Sequence, residues 1–292
     1  MATCYRHPSR ETGVSCSNCG RPICPDCMTT TPVGMRCPEC AKQRTPVVRM
    51  RELSKVPRVT YALIAINVAA FIAEGNISFG GAPTNKVYEE GALIGSLRGY
   101  PGGVAHGQWW RLVTSGFLHE NLIHIGFNMY VLYVLGLQLE PVLGRVKFAS
   151  IYAVSLLTGS LGAIIVSPHD VTVGASGAVF GIMGAFAVEL RSRNLPLMRG
   201  GLGGIGGLIV INLVISFSIP GISWGGHVGG LIGGILVAAL IQLGERMRAP
   251  ALALAACAVI AVAAVAGSIA IAKSSEPEEV FTSPAAIVSP ES

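Results

Sequence analysis

The chain has 292 residues and a mean hydropathy of +0.58, with 51% hydrophobic residues and only 13% charged. An average soluble domain carries about a quarter charged residues, so this composition excludes an ordinary soluble domain and indicates a membrane protein. The formal net charge of +5 is no argument for nucleic-acid binding, because no basic face with interleaved aromatics accompanies it.

The first predicted element is a small cysteine-rich head, expected over residues 1–44 and followed by a basic linker over 45–58. Residues 1–58 hold ten of the 21 Lys and Arg and seven of the eight cysteines. "CYRH", "CSNC", "CPDC" and "CPEC" are four pairs with two-residue gaps. Each pair can chelate one metal ion. Together they supply eight ligands, Cys4, His7, Cys16, Cys19, Cys24, Cys27, Cys37 and Cys40, for two structural Zn²⁺ ions in tetrahedral sites. A disulfide framework fails on count, since seven cysteines cannot all pair and His7 completes the set. It also fails on compartment, because the orientation derived below puts the head in a reducing cytoplasm. A head of about 40 residues builds little core, so metal is expected to supply its folding energy. Spacing alone leaves sequential and interleaved pairing both open. The head resembles B-box-type zinc fingers, which implies interleaved sites: Cys4, His7, Cys24 and Cys27 for one ion, and Cys16, Cys19, Cys37 and Cys40 for the other. Its expected role is binding a cytoplasmic protein partner or stability, not reading nucleic acid.

Seven apolar segments follow, at 59–75, 119–139, 146–166, 174–190, 202–218, 222–243 and 251–272. Each is close to the roughly 20 residues that cross a bilayer, the fourth being short. The long loop between the first two contains "GQWWRLVTSGF", whose Trp109, Trp110 and Arg111 suit a membrane interface. No cleavable signal peptide is visible in the opening residues, so the first membrane helix is expected to act as its own signal. With the N-terminus in the cytoplasm, 17 Lys and Arg lie inside and four (Lys86, Arg98, Arg111 and Lys273) outside. The C-terminus then ends outside, in an acidic, Pro- and Ser-rich tail (273–292) expected to be disordered. A bacterial-type plasma (inner) membrane is expected, with a eukaryotic membrane as the alternative.

This topology brings scattered polar residues to one depth. Segments two, four and six all start outside, which places His124 and Asn128, Ser176, and His227 in the outer leaflet. Ionisable groups there usually face a water-filled cavity or a functional site. His124 and Asn128 are i, i+4 and share a helical face. Glycines flanking Ser176 ("TVGASGAVFG") and His227 ("SWGGHVGG") permit the close helix approach that a Ser–His hydrogen bond needs. Ser176 then reads as a nucleophile and His227 as its general base, with no acidic partner in that leaflet: a dyad. Backbone N–H groups at the start of the Ser176 helix, with His124 and Asn128, can stabilise an oxyanion. A serine in a membrane helix more often bonds its own backbone, and it is the conjunction of four residues that favours catalysis. Asn67 and Asn212 read as helix–helix hydrogen bonders, Glu140 as a brace at a helix–loop junction, His106 and His169 as solvated loop residues, and Cys257 as packing. His119 sits at the mouth of segment two.

"WWR", "HENLIHIGFN", "LEPVLG", "GASG" and "GHVGG", in this order over residues 59–245, resemble the rhomboid intramembrane serine proteases. The resemblance implies an all-α, polytopic six-helix bundle, here with a seventh C-terminal helix at 251–272. It also implies hydrolysis of single-pass transmembrane substrates within the bilayer, near its outer face, with no cofactor for catalysis. By this match Ser176 is the nucleophile, His227 the base, and His124, Asn128 and the Ser176 N–H line the oxyanion hole. Phe180 takes the place of a tyrosine that stacks on the histidine, and Gly226 that of an alanine. A non-catalytic rhomboid-like protein that binds membrane clients is the alternative. A transporter is disfavoured, because the ionisable residues cluster in one leaflet and no repeat is evident.

Overall fold

The computed structural model describes residues 2–42, 56–75, 79, 83–198, 200 and 203–276, in two units, Met1–Lys55 and Val56–Ser292. Most of the expected linker (45–55) and of the acidic tail (277–292) lies outside the described residues.

The first unit has almost no regular structure to hold it. Strands β1 (Ala2–Thr3) and β2 (Glu11–Thr12) pair antiparallel, as do β3 (Thr29–Thr31) and β4 (Gly34–Arg36), and one short helix, α1 (Pro38–Lys42), follows. Its buried cluster is Ile23 with six cysteines. So small an apolar core contributes little stability of its own.

The second unit is all-α, and the chain is a multi-pass membrane protein. Seven apolar helices are described: α2 (Arg58–Glu74), α5 (Leu122–Leu143), α6 (Arg145–Val166), α7 (Ser176–Ser192), α8 (Gly204–Ser218), α9 (Trp224–Arg246) and α10 (Pro250–Ser274). Two short helices, α3 (Lys86–Gly91) and α4 (Arg111–Thr114), lie in the long loop. By length and composition α5, α6, α9 and α10 can each span a bilayer, whereas α2 and α7 have 17 residues and α8 has 15. At about 1.5 Å per residue, 17 residues cover about 26 Å, less than a hydrocarbon core of about 30 Å.

Local chemistry sets the boundaries. The second apolar segment begins its helix at Leu122, not 119, because the Asn121 side chain caps it by accepting the His124 N–H at 2.9 Å. Helix α2 has no side-chain cap of its own, and Pro57 stands at its N-cap. Glu140, in the last turn of α5, substitutes: its carboxylate accepts from the N–H groups of Val59 (3.0 Å) and Thr60 (2.8 Å) and from the Thr60 hydroxyl (2.7 Å). Glu140 therefore braces a junction, as the sequence suggests. The long loop is organised by Arg111, which is fully buried in the protein. Its guanidinium donates to the carbonyls of Glu89 and Ala92 at 2.8 and 2.6 Å, to Tyr100 at 2.9 Å and to Gln108 at 2.6 Å. Trp109 and Trp110 remain exposed. The loop also pairs with the segment entering α7, through an isolated antiparallel bridge between Leu93 and Thr172.

Candidate active site

Helices α6, α7 and α9 meet backbone to backbone. A Cβ on Gly230 would stand 2.0 Å from the Gly177 carbonyl oxygen, one on Gly234 2.0 Å from that of Gly181, and one on Gly162 2.2 Å from that of Gly225. Only glycine permits these crossings, so the small-residue ladders set the distance between α7 and α9. Where α7 and α9 begin, the Ser176 Oγ lies 2.7 Å from the His227 Nε2.

Ser176 is the first residue of α7, so its N–H belongs to the first turn, where backbone donors have no intrahelical acceptor. Gly174, two residues earlier, has φ +124°, which L side chains rarely adopt, and a Cβ there would stand 2.7 Å from the His124 Nε2. Its N–H donates to the Ser115 carbonyl at 2.9 Å, fixing the entry into α7. Phe180, one turn after Ser176, stacks on the His227 ring with centroids 4.4 Å apart and planes 16° from parallel. Asn128 is buried and donates to the His124 carbonyl at 3.2 Å; its amide carries a second N–H. Ser176, His227, Phe180, His124 and Asn128 all line one cavity of about 570 Å³.

Sequence reading missed one residue here. Ser216, near the end of α8, is buried, and its Oγ lies 2.6 Å from the His227 Nδ1 and 2.6 Å from the Asn212 carbonyl oxygen. The available signal was a serine at i+4 from an asparagine in an otherwise apolar helix, but which way it faced was not readable. The Asn67 and Asn212 amides each donate to a carbonyl four residues back in their own helix. His119 is fully buried with its ring edge-on to His124, at 5.1 Å between centroids, and Cys257 is buried as a packing residue. His106 lies 3.7 Å from Glu276, and the His169 Nδ1 is 2.8 Å from the Ser96 carbonyl oxygen.

In the first unit, Cys4, His7, Cys24 and Cys27 form one group and Cys16, Cys19, Cys37 and Cys40 another, the ligand atoms of each lying within 4.8 Å of one another. This grouping is interleaved. Ligands about 2.3 Å from a tetrahedral ion stand about 3.8 Å apart. The His7 Nδ1 is 4.0, 3.3 and 3.5 Å from the sulfurs of Cys4, Cys24 and Cys27, and the Cys19 and Cys37 sulfurs are 3.8 Å apart. The residues therefore fit a metal ion at each group, and the seven head cysteines are free thiols. Backbone N–H groups point at the sulfurs: the Cys37 N–H donates to Cys16, foremost among the groups that hold that thiol low, at about 6. The Asn18 amide donates to Cys40 at 3.3 Å. Such outer bonds suit thiolate ligands.

Residues 106–243 match the Rhomboid domain. Over 188 residues the chain is 37% identical to rhomboid protease GluP of Bacillus subtilis (strain 168), covering 64% of this chain and 35% of that protein. Over 153 residues it is 36% identical to the putative rhomboid protease YdcA of the same organism, covering 52% of this chain and 77% of that protein. It is also 33% identical over 137 residues to RHOMBOID-like protein 6, mitochondrial, of Arabidopsis thaliana, covering 46% of this chain and 44% of that protein. The chain thus spans about a third of the length of the first of these relatives and most of the second.

Proposed function

The chain belongs to the rhomboid family, and from that premise we propose that it is an intramembrane serine endopeptidase acting through a Ser176–His227 dyad. The observation that carries the reading is the 2.7 Å approach of the Ser176 Oγ to the His227 Nε2 in a cavity large enough for an unwound peptide segment. As the Ser176 Oγ attacks the scissile carbonyl carbon, its proton passes to Nε2. The resulting oxyanion is stabilised by the Ser176 N–H, Asn128 and His124. The imidazolium then protonates the leaving amine, and the C–N bond breaks. Water, deprotonated by His227, releases the acyl group from Ser176. Phe180 holds the imidazole plane through both steps.

A serine cannot reach a peptide bond inside an intact helix, because the carbonyls there are bonded and screened by side chains. Substrates are therefore single-pass proteins whose helix unwinds near the outer face of the membrane. The 17-to-four split of Lys and Arg supports a cytoplasmic N-terminus and an outward C-terminus, in what we take to be a plasma membrane. The thiolate-rich, tetrahedrally spaced sites of the head support two structural Zn²⁺ ions, with a cytoplasmic protein as the partner of that head.

The test is labelling of the full chain in detergent with a fluorophosphonate, beside cleavage of a transmembrane peptide, in wild type, Ser176→Ala and His227→Ala. Loss of both signals in both variants is the expected result. Undiminished labelling in Ser176→Ala would remove the serine from its role. A folded wild type that neither labels nor cleaves would point to client binding instead.

A further inference from the structure

The Ser216 hydroxyl has two neighbours and one proton. Its oxygen stands 2.6 Å from the Asn212 carbonyl oxygen, which can only accept, and 2.6 Å from the His227 Nδ1. Two oxygens this close without a proton between them would repel, so the hydroxyl proton belongs on the Asn212 carbonyl. The lone pairs of Ser216 then face Nδ1, which must carry a hydrogen to bond with them. In a neutral imidazole that leaves Nε2 bare, as an acceptor for the Ser176 O–H.

We infer that Ser216 is a positioning residue that selects the His227 tautomer competent as a base, through the chain Ser176 O–H to Nε2 and Nδ1–H to Ser216 to the Asn212 carbonyl. The inference rests on the dyad reading and deepens it. A buried hydroxyl, anchored to its own helix, takes the orienting place for which no carboxylate is present among the cavity residues near Nδ1. When Nε2 takes the Ser176 proton, the Nδ1–H bond to Ser216 persists and no other proton moves. Ser216 and Asn212 lie on α8 while His227 lies on α9. The base is thus oriented only while α8 rests against α9, and displacing α8 would uncouple it.

The test uses the full chain in micelles with ¹⁵N-labelled histidine, the His227 signals being those lost in His227→Gln. In wild type, Nδ1 should be protonated and Nε2 bare. Ser216→Ala should move the population toward the other tautomer and slow fluorophosphonate labelling about tenfold, whereas Ser216→Thr, which keeps the hydroxyl, should restore both. An unmoved tautomer in Ser216→Ala overturns the inference. Should that variant not fold, Ser216→Cys, of similar size and a weaker acceptor, serves equally, and an unmoved tautomer there has the same consequence. The nitrogen spectrum needs no turnover, so a tautomer shift in a protein whose Ser176 never labels would retain the role of Ser216 and discard the protease reading.

Discussion

The phenyl ring of Phe180 lies flat on the imidazole of His227, 4.4 Å between centroids, while the opposite end of the contact network reaches Ser176 and Ser216. Two elements, α7 and α8, therefore hold the imidazole that α9 carries: α7 from its face and at Nε2, α8 at Nδ1.

Loss of the stacking ring should loosen the base without unfolding the protein. Stacked aromatic pairs contribute about 0.5–1.5 kcal/mol. Phe180→Leu should therefore slow cleavage of a transmembrane peptide by about two- to tenfold, mostly in kcat, and Phe180→Tyr should retain most activity. Equal loss in both variants, with unchanged thermal stability, would show that the ring plane does not matter.

Helix approach should be intolerant of a single methyl group at Gly230 and indifferent to one at Gly126. A Cβ at Gly230 meets the Gly177 carbonyl oxygen at 2.0 Å, whereas one at Gly126 meets nothing within 4 Å. Gly230→Ala should abolish fluorophosphonate labelling and lower the unfolding temperature, and Gly126→Ala should change neither. Full labelling of Gly230→Ala would mean that α7 and α9 can separate without breaking the Ser176–His227 bond.

Removing the Glu140 carboxylate should strip the start of α2. Two backbone N–H groups and one hydroxyl lose their acceptor in a buried site. Each unsatisfied group costs about 1–3 kcal/mol before relaxation or water access. Glu140→Ala should destabilise by about 2–3 kcal/mol in a micellar unfolding titration. A change below about 0.5 kcal/mol would mean that solvent or lipid headgroups replace the carboxylate.

Metal content checks the head directly. Elemental analysis of the purified full chain should find two zinc ions per chain, falling to one in Cys16→Ser/Cys37→Ser. Chelation should make residues 2–42 rapidly cleavable by added protease, because the buried cluster offers little besides the ligands themselves. A metal-free chain that still resists proteolysis there would contradict metal-dependent folding.

Much of this molecule is legible along the chain. The apolar helices, the two-residue gaps between candidate metal ligands, and the depth of His124, Asn128, Ser176 and His227 along their helices all follow from local periodicity and from which end of each helix a residue occupies. Depth needs only a count from the helix start. The rotation of each helix about its axis is different, because these helices are apolar nearly all round and sequence pattern does not mark which face meets which neighbour.

That is why the roles of Ser216 and Arg111, and the partners of Glu140, were not legible in the linear sequence. Each acts on a group that the chain reaches only after folding: Ser216 on His227 from a different helix, Arg111 on carbonyls about 20 residues away, Glu140 on residues 59 and 60. The pairing of the metal ligands is of the same kind, since spacing makes four chelating pairs and only their approach in space groups them. Residue types and helix ends are encoded locally. Directional bonds across helices depend on how far apart the glycine ladders let the backbones stand and on which way each side chain turns, and these emerge from packing the whole bundle at once.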